Sequence, residues 1–164
     1  AAYTGLRRGE ICDLRWGAVD LESGFLTVKG TDDFDTKTGD SARIPLVEEA
    51  KALLRQKENE RTSSDPDEHV FTGANSGSLN PGYLSHRFKR YCELADLPDD
   101  ISFHSLRHTC ASMLVKGEVP IHTVKEMLRH STTKVTKRYA HLAPETFKDQ
   151  IQDGISTSLG EIED

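Results

Sequence analysis

Long apolar runs are missing from this 164-residue sequence, and no segment approaches the roughly 20 residues that a membrane-spanning helix needs. The first residues carry neither a charged leader nor a cleavage pattern, so nothing in them indicates export. A hydrophobic fraction of 35% and a charged fraction of 29% are typical of a soluble globular domain. We therefore expect one compact cytoplasmic domain with a core of its own.

Cysteine is also scarce, since the chain has three, and they are isolated from one another. Cys12, Cys92 and Cys110 each lie in a segment with helical periodicity, which favours small buried side chains in a reducing compartment. The sequence contains neither a C-x-x-C pair nor an H-E-x-x-H helix, which are typical of zinc sites. A disulfide framework is not expected.

The chain lacks an excess of positive charge, since 27 acidic residues outnumber 21 Lys and Arg to give a formal net charge of -6, and the basic residues are unevenly distributed. Residues 1–103 contain 13 Lys and Arg against 19 Asp and Glu, whereas residues 104–148 contain eight against three. The basic segment also contains five of the seven histidines. This asymmetry is compatible with a basic face that contacts phosphate groups on an otherwise acidic body.

Apolar periodicity predicts helices around 6–14, 47–54, 84–95, 102–117 and 121–128, with a strand pair at 24–28 and 42–45. A short strand at 70–71 and a final short helix carrying Tyr139 are also predicted. The expected architecture is a mostly helical α+β domain with a small antiparallel hairpin.

Three segments combine residues suited to phosphodiester chemistry. They are Thr4-Gly-Leu-Arg7-Arg-Gly-Glu10, His104-Ser-Leu-Arg107-His108, and Leu128-Arg129-His130 followed nine residues later by Tyr139. An arginine guanidinium matches phosphate oxygens, an imidazole transfers protons near neutral pH, and a phenol can be a covalent nucleophile. His104 and Arg107 are three residues apart on a predicted helix, so their side chains share nearly the same face.

With these segments and Thr36-Lys-Thr-Gly39 between the predicted strands, the chain resembles the catalytic domain of a tyrosine recombinase of the phage integrase family. The four blocks occur in the family's order over roughly residues 1–142. The resemblance implies the integrase fold, with a catalytic domain at 1–143 followed by an acidic tail at 144–164. In this tail Phe147, Ile151 and Ile155 recur every fourth residue, which predicts a helix whose apolar stripe docks in cis or in trans. Family members usually carry an N-terminal DNA-clamp domain, so we expect this chain to be a fragment.

The resemblance further implies a bacterial or phage-encoded recombinase that cleaves and rejoins double-stranded DNA through a 3′-phosphotyrosyl intermediate. It implies a tetramer on DNA and no cofactor, neither metal nor ATP. The catalytic residues would be Arg7, Lys37, His104, Arg107, His130 and Tyr139, with Glu10 and His108 in supporting roles. Tyr139 would be the nucleophile, and the two arginines would neutralise the non-bridging phosphate oxygens.

The general acid for the leaving 5′-oxygen has two candidates. Lys37 matches the hairpin lysine of the family in Thr-Lys-Thr-Gly, and Lys29 lies near the end of the first predicted strand, where other members place it. Six further basic residues are expected to contact DNA: Arg8, Arg43, Arg129, Lys134, Lys137 and Arg138. The family usually has glycine at position 129, and a positive φ is less accessible to arginine, so the backbone conformation there stays open.

Three alternatives compete with this interpretation. A zinc site could combine His104, His108, Cys110 and His130, although the neighbouring arginines would repel a cation. The chain could instead be a DNA-binding module that has lost the chemistry, which the intact Tyr139 and both arginines argue against. A type IB topoisomerase uses similar groups to relax DNA, but the spacing of the blocks fits integrases better.

Overall fold

The computed structural model describes residues 1–28, 41–73, 77–130 and 136–142. Within these ranges the chain forms helices α1 (Arg8–Cys12), α2 (Glu48–Asn59), α3 (Pro81–Leu94), α4 (Phe103–Lys116) and α5 (Ile121–Leu128). The strands are β1 (Val19–Asp20), β2 (Phe25–Val28) and β3 (Ala42–Pro45), and 3-10 turns occupy Trp16–Ala18 and Ala140–Leu142. The predicted mostly helical α+β architecture is confirmed.

The sheet is antiparallel in the order β1-β2-β3, with Leu26 paired to Ile44 at its centre. Both of these side chains are 1% exposed, because alternate residues of a strand face the core. The sequence did not predict β1, since two residues show no periodicity. The strand predicted at 70–71 is wrong: isolated bridges at His69 and Thr72 flank these residues, which form no ladder of their own.

Two apolar clusters organise the described part of the chain. The first packs the sheet, α1 and α2 around Leu26, Ile44 and Trp16. The second joins α4, α5 and the segment 136–142, and its members are Cys110, Ala111, Val115, Val124, Leu128 and Tyr139. All three cysteines are buried free thiols. No helix in the described ranges is long and apolar enough to cross a membrane.

Candidate active site

The C-terminal end of α5 is the point at which the site is assembled. Arg129 has φ +52° and ψ +47°, which is the left-handed conformation. Its N–H donates to the Glu126 carbonyl at 2.9 Å, and the His130 N–H donates to the Lys125 carbonyl at 3.1 Å. These two bonds form a Schellman motif, whose left-handed position usually carries glycine. Arg129 therefore adopts a backbone conformation that glycine favours, and this turn sets the direction of His130.

Carbonyl groups at the end of α5 bind two guanidiniums. Arg107 donates through Nη2 to the Leu128 carbonyl, and Arg7 donates through Nη2 to the Arg129 carbonyl at 3.1 Å. The last carbonyls of a helix have no partner within the helix, and they form the negative end of its dipole. This helix end is therefore a favourable place for two cations that come from distant parts of the sequence.

The glycine of Thr4-Gly-Leu-Arg7 allows the close approach that completes the Arg107 site. The Gly5 carbonyl accepts a hydrogen bond from Arg107 Nη1. Gly5 has φ +62°, and a Cβ at this position would lie 2.3 Å from Leu128 Cδ2. Both the backbone conformation and the lack of space therefore require glycine.

Arg107 is only 3% exposed, so the side chain is fixed among backbone groups rather than free in solvent. A guanidinium has five N–H donors, and among the described residues Arg107 uses two of its nitrogen atoms to donate to carbonyls, so further donors remain for a ligand there. Arg107 and His104 both line a cavity of about 300 Å³, as expected for residues that share one face of α4. Burial, followed by the charges of Arg7 and Arg129, lowers the pKa of Arg107 to about 10, and the group stays charged at neutral pH.

The two carboxylate oxygens of Glu10 form ion pairs with two different arginines. Its Oε1 lies 3.0 Å from Arg7 Nη1, and its Oε2 lies 2.6 Å from Arg129 Nη2. Oε2 also accepts the backbone N–H of Arg7 at 2.6 Å. The Glu10 side chain is 6% exposed, whereas that of Arg7 is 41% exposed. Glu10 thus orients the solvent-accessible guanidinium of Arg7. Since the three guanidiniums of Arg7, Arg107 and Arg129 face this single carboxylate, their combined net charge is +2.

Two histidines of α4 lie one turn apart, and the second of them contacts the phenol of Tyr139. The rings of His104 and His108 are edge to face, with centroids 4.7 Å apart and an interplanar angle of 89°. His108 Nδ1 forms a hydrogen bond with the Tyr139 hydroxyl. Tyr139 is 6% exposed and lies directly before the Ala140–Leu142 turn, where its N–H donates to the Thr136 carbonyl at 3.0 Å.

His130 lies next to the left-handed residue and has a different partner. Its Nδ1 is 2.9 Å from the hydroxyl oxygen of Thr136, which is fully buried. Burial, together with the charges of Arg107 and Arg7, lowers the pKa of His130 to about 4. Sequence reasoning missed Thr136, because a threonine among other polar residues gives no signal of its partner.

The pKa values of His104, His108 and Tyr139 also shift in the direction that favours the uncharged form of each side chain. Burial, and then Arg107, lowers the pKa of His104, while burial, and then His104, lowers the pKa of His108. Burial raises the pKa of the Tyr139 phenol. At neutral pH the site therefore combines neutral imidazoles and a protonated phenol with charged arginines. A bound phosphate anion would offset the arginine charges that lower the histidine pKa values.

The other basic residues predicted to contact DNA or to act as the general acid differ in their surroundings. Arg8 donates to the Ser85 hydroxyl at 2.7 Å, and the Arg43 guanidinium lies 4.3 Å from the centroid of the Phe25 ring. Lys137 and Arg138 are exposed beside Tyr139. Arg129, by contrast, points inward to Glu10, with a side chain that is 15% exposed. Lys29, Lys37, Lys134 and the tail predicted at 144–164 lie outside the described residues.

The zinc alternative has no support in the described ranges. There, no group of three or more His, Cys, Asp or Glu side chains is placed to bind a metal ion. Cys110 is 2% exposed, and burial raises the pKa of its thiol, which disfavours the thiolate that zinc requires.

Comparison with known proteins gives a consistent result. The profile of the phage integrase family matches residues 1–146. The chain is 32% identical over 139 residues to the tyrosine recombinase XerC of Xanthomonas axonopodis pv. citri, and the aligned region covers 85% of this chain and 43% of XerC. It is 28% identical over 148 residues to a tyrosine recombinase of Agathobacter rectalis, covering 89% of this chain and 46% of that protein. The chain thus spans less than half the length of these relatives.

Solved structures show the same fold. The XerA recombinase superposes with a TM-score of 0.73 at 21% identity, over 93% of this chain and 53% of XerA. The integrase of transposon Tn1549, solved in complex with circular intermediate DNA, superposes with a TM-score of 0.72 at 20% identity, over 95% of this chain and 57% of that chain.

Proposed function

The chain belongs to the phage integrase family, and on that premise we propose that it is the strand-cleaving domain of a tyrosine site-specific recombinase. The observation that supports this most directly is the assembly of Arg7, Arg107 and the Tyr139 phenol around α4 and the end of α5. The substrate would be the phosphodiester of double-stranded DNA. One relative of known structure, the Tn1549 integrase, was solved with DNA.

In this mechanism the arginines bind the scissile phosphate. Arg7 is open to solvent on one side, and Arg107, which donates to two carbonyls in the described part of the chain, lines a cavity together with His104. Because backbone carbonyls and Glu10 already fix both guanidiniums, little reorganisation is needed as charge develops on the non-bridging oxygens. A neutral His130 or His104 could add an N–H donor to the same oxygens.

Tyr139 Oη would attack the phosphorus and displace the 5′-oxygen, which leaves a 3′-phosphotyrosyl ester. The ester conserves the energy of the phosphodiester, so a 5′-hydroxyl can reverse the step without ATP. The leaving 5′-oxygen needs a proton, and we propose Lys37 as its donor, with Lys29 as the alternative.

The full-length protein provides the test. Incubation with a nicked suicide DNA substrate, in the presence of EDTA and without ATP, should yield a covalent adduct that peptide mapping assigns to Tyr139. The matched control is Tyr139→Phe, which lacks only the hydroxyl and should form no adduct. An adduct formed by Tyr139→Phe would disprove the assignment of the nucleophile. DNA binding with no adduct in the wild type would instead support a binding module.

We also propose that residues 1–143 form the catalytic domain and that 144–164 dock on it or on a neighbouring protomer in a tetramer bound to DNA. Phe147, Ile151 and Ile155 recur every fourth residue and would form the docking stripe. Deleting the tail from the full-length protein should weaken assembly on DNA, as measured by multi-angle light scattering of the complex. Tetramers that form equally well without the tail would contradict docking on a neighbouring protomer and favour docking on the domain's own surface.

A further inference from the structure

Arg129 places a cation at a helix end where the backbone favours glycine. Its φ of +52° is left-handed, a conformation that a residue with a Cβ adopts only at a cost in free energy. The side chain is nevertheless fixed, because Nη1 donates to the Met127 carbonyl at 3.3 Å and Nη2 lies 2.6 Å from Glu10 Oε2. It is 15% exposed, so its charge is largely withdrawn from solvent. The ion pair with Glu10 is therefore the main interaction of this guanidinium in the described part of the chain.

Glu10 connects Arg129 to Arg7. An arginine and a carboxylate pair most strongly when both oxygens accept from the same guanidinium. Here the two oxygens have different partners: Oε1 lies 3.0 Å from Arg7 Nη1, whereas Oε2 binds Arg129 Nη2 and the backbone N–H of Arg7, each at 2.6 Å. Glu10 therefore holds the Arg7 guanidinium through a single oxygen, and Arg129 occupies the oxygen that a two-point pair would need.

Residue 129 contacts Arg7 in a second way, through its own backbone. The Arg129 carbonyl accepts from Arg7 Nη2 at 3.1 Å, on the opposite terminal nitrogen from the one that binds Glu10. Arg7 is thus held at one point by each of two groups, while its side chain stays 41% exposed. A guanidinium has five N–H donors, so this arrangement fixes the plane of Arg7 and leaves donors on the exposed side for a ligand.

We propose that Arg129 is a positioning residue for strand cleavage. By binding Glu10 Oε2 it prevents Glu10 from pairing with Arg7 through both oxygens, and so it keeps the outer donors of Arg7 directed at the scissile phosphate. Arg129 itself would not contact the phosphate, because its guanidinium is turned inward to Glu10. This inference rests on the proposed recombinase function and adds to it a residue that acts through Glu10.

The test uses the full-length protein and a matched pair of variants. Arg129→Lys keeps a cation that can bind Glu10, whereas Arg129→Met has a similar length and no charge. Both have a Cβ at the left-handed position, so the backbone strain is the same. In single-turnover cleavage at saturating DNA, Arg129→Met should be slower than Arg129→Lys by roughly 10–10²-fold, the cost of a misplaced donor to the transition state. Arg129→Gly, which lacks both the charge and the strain, should be as slow as Arg129→Met.

A second background shows whether Arg129 acts through Glu10. Glu10→Gln keeps one oxygen that can accept from Arg7 but cannot form a two-point pair with a guanidinium. With Gln at position 10, Arg129→Lys and Arg129→Met should therefore cleave at rates within about twofold of each other. Urea unfolding in the assay buffer checks that each variant is folded, and the measured DNA affinity sets the concentration for saturation.

The possible results are distinct. Equal cleavage rates for Arg129→Lys and Arg129→Met, or a fast Arg129→Gly beside two slow variants, would show that position 129 matters only as a helix end and would overturn the proposal. A difference between Lys and Met that persists undiminished with Gln at position 10 would overturn the action through Glu10. In each of these cases the wild type still cleaves. A wild-type protein that forms no adduct on Tyr139 would fail the proposed function itself.

Discussion

Replacing Arg129 tests whether the end of α5 is a strained position that the Glu10 ion pair stabilises. Arg129→Gly and Arg129→Ala both remove the guanidinium, so they lose the same contacts. They differ at φ +52°, which glycine adopts readily and which costs a residue with a Cβ roughly 1–2 kcal/mol. We therefore expect Arg129→Gly to be more stable than Arg129→Ala by about 1 kcal/mol.

The loss relative to the wild type follows from the Glu10 contact. A hydrogen bond between charged groups contributes about 1.5–3 kcal/mol, and Arg129 Nη2 lies 2.6 Å from Glu10 Oε2. The larger penalty for an unpaired buried charge does not apply to these variants, because Glu10 would still form its ion pair with Arg7, whose Nη1 lies 3.0 Å from Glu10 Oε1. Arg129 Nε is buried without a hydrogen-bond partner in the described ranges, which reduces the gain from the side chain. Arg129→Ala should therefore lose about 2 kcal/mol, and Arg129→Gly about 1 kcal/mol.

Equilibrium unfolding in urea measures these differences, with the fluorescence of Trp16, the single tryptophan of the chain, as the probe. Trp16 is 6% exposed, so its emission should change on unfolding. The control is Gln56, an exposed residue inside α2, where Gly should be less stable than Ala by about 1 kcal/mol. If Ala is as stable as Gly at position 129, or more so, the position is not left-handed and this account of the α5 end is refuted.

Three further predictions concern the general acid, the pH dependence of stability and the loop before α1. Lys37→Ala should slow cleavage of ordinary DNA by about 10²–10⁴-fold, and a substrate with a 5′-bridging sulfur should restore the cleavage rate. Arg107→Ala should cleave both substrates slowly. If the sulfur substrate does not rescue Lys37→Ala, Lys37 is not the general acid. The pKa of His130 is lowered from 6.5 to about 4 in the folded protein, so between these two pH values the unfolded chain binds more protons than the folded protein. Stability should fall as the pH drops through this window, and His130→Gln should reduce the fall between pH 7 and pH 5 in urea unfolding; an unchanged slope would contradict the shift. Gly5→Ala should lower the free energy of unfolding by about 1–3 kcal/mol in the same assay, because the new Cβ would clash with Leu128 Cδ2. A variant as stable as the wild type would contradict this close approach.

Much of the fold was predictable because it depends on local patterns. Apolar spacing predicted the helix that begins after Ser102, which is the N-cap of α4, and the helix after Pro120, which precedes α5. The strand pair was predicted as well, and along β2 buried positions alternate with half-buried ones. The two-residue strand β1 escaped prediction, because its pairing with β2 depends on a partner and not on its own sequence.

The identity of the candidate site residues also came from the sequence, through residue types and their order along the chain. Whether Arg7, His104, Arg107, His130 and Tyr139 act as expected stays a prediction. The direction of Arg129 was not predictable. A basic residue beside the site suggested a DNA contact, but the structure turns this side chain inward to Glu10, because the left-handed backbone and a buried carboxylate together favour that geometry.

The sequence by itself determined the family, the α+β architecture and the chemical groups available for phosphodiester chemistry, because motifs and apolar periodicity are properties of neighbouring residues. Tertiary structure alone decided which groups meet. The Leu128 carbonyl accepts from Arg107 and the His108 imidazole contacts the Tyr139 phenol, across separations of 21 and 31 residues. Such contacts depend on how α4, α5 and the segment with Tyr139 pack around one apolar cluster. That packing is a property of the whole fold, and no local pattern encodes it.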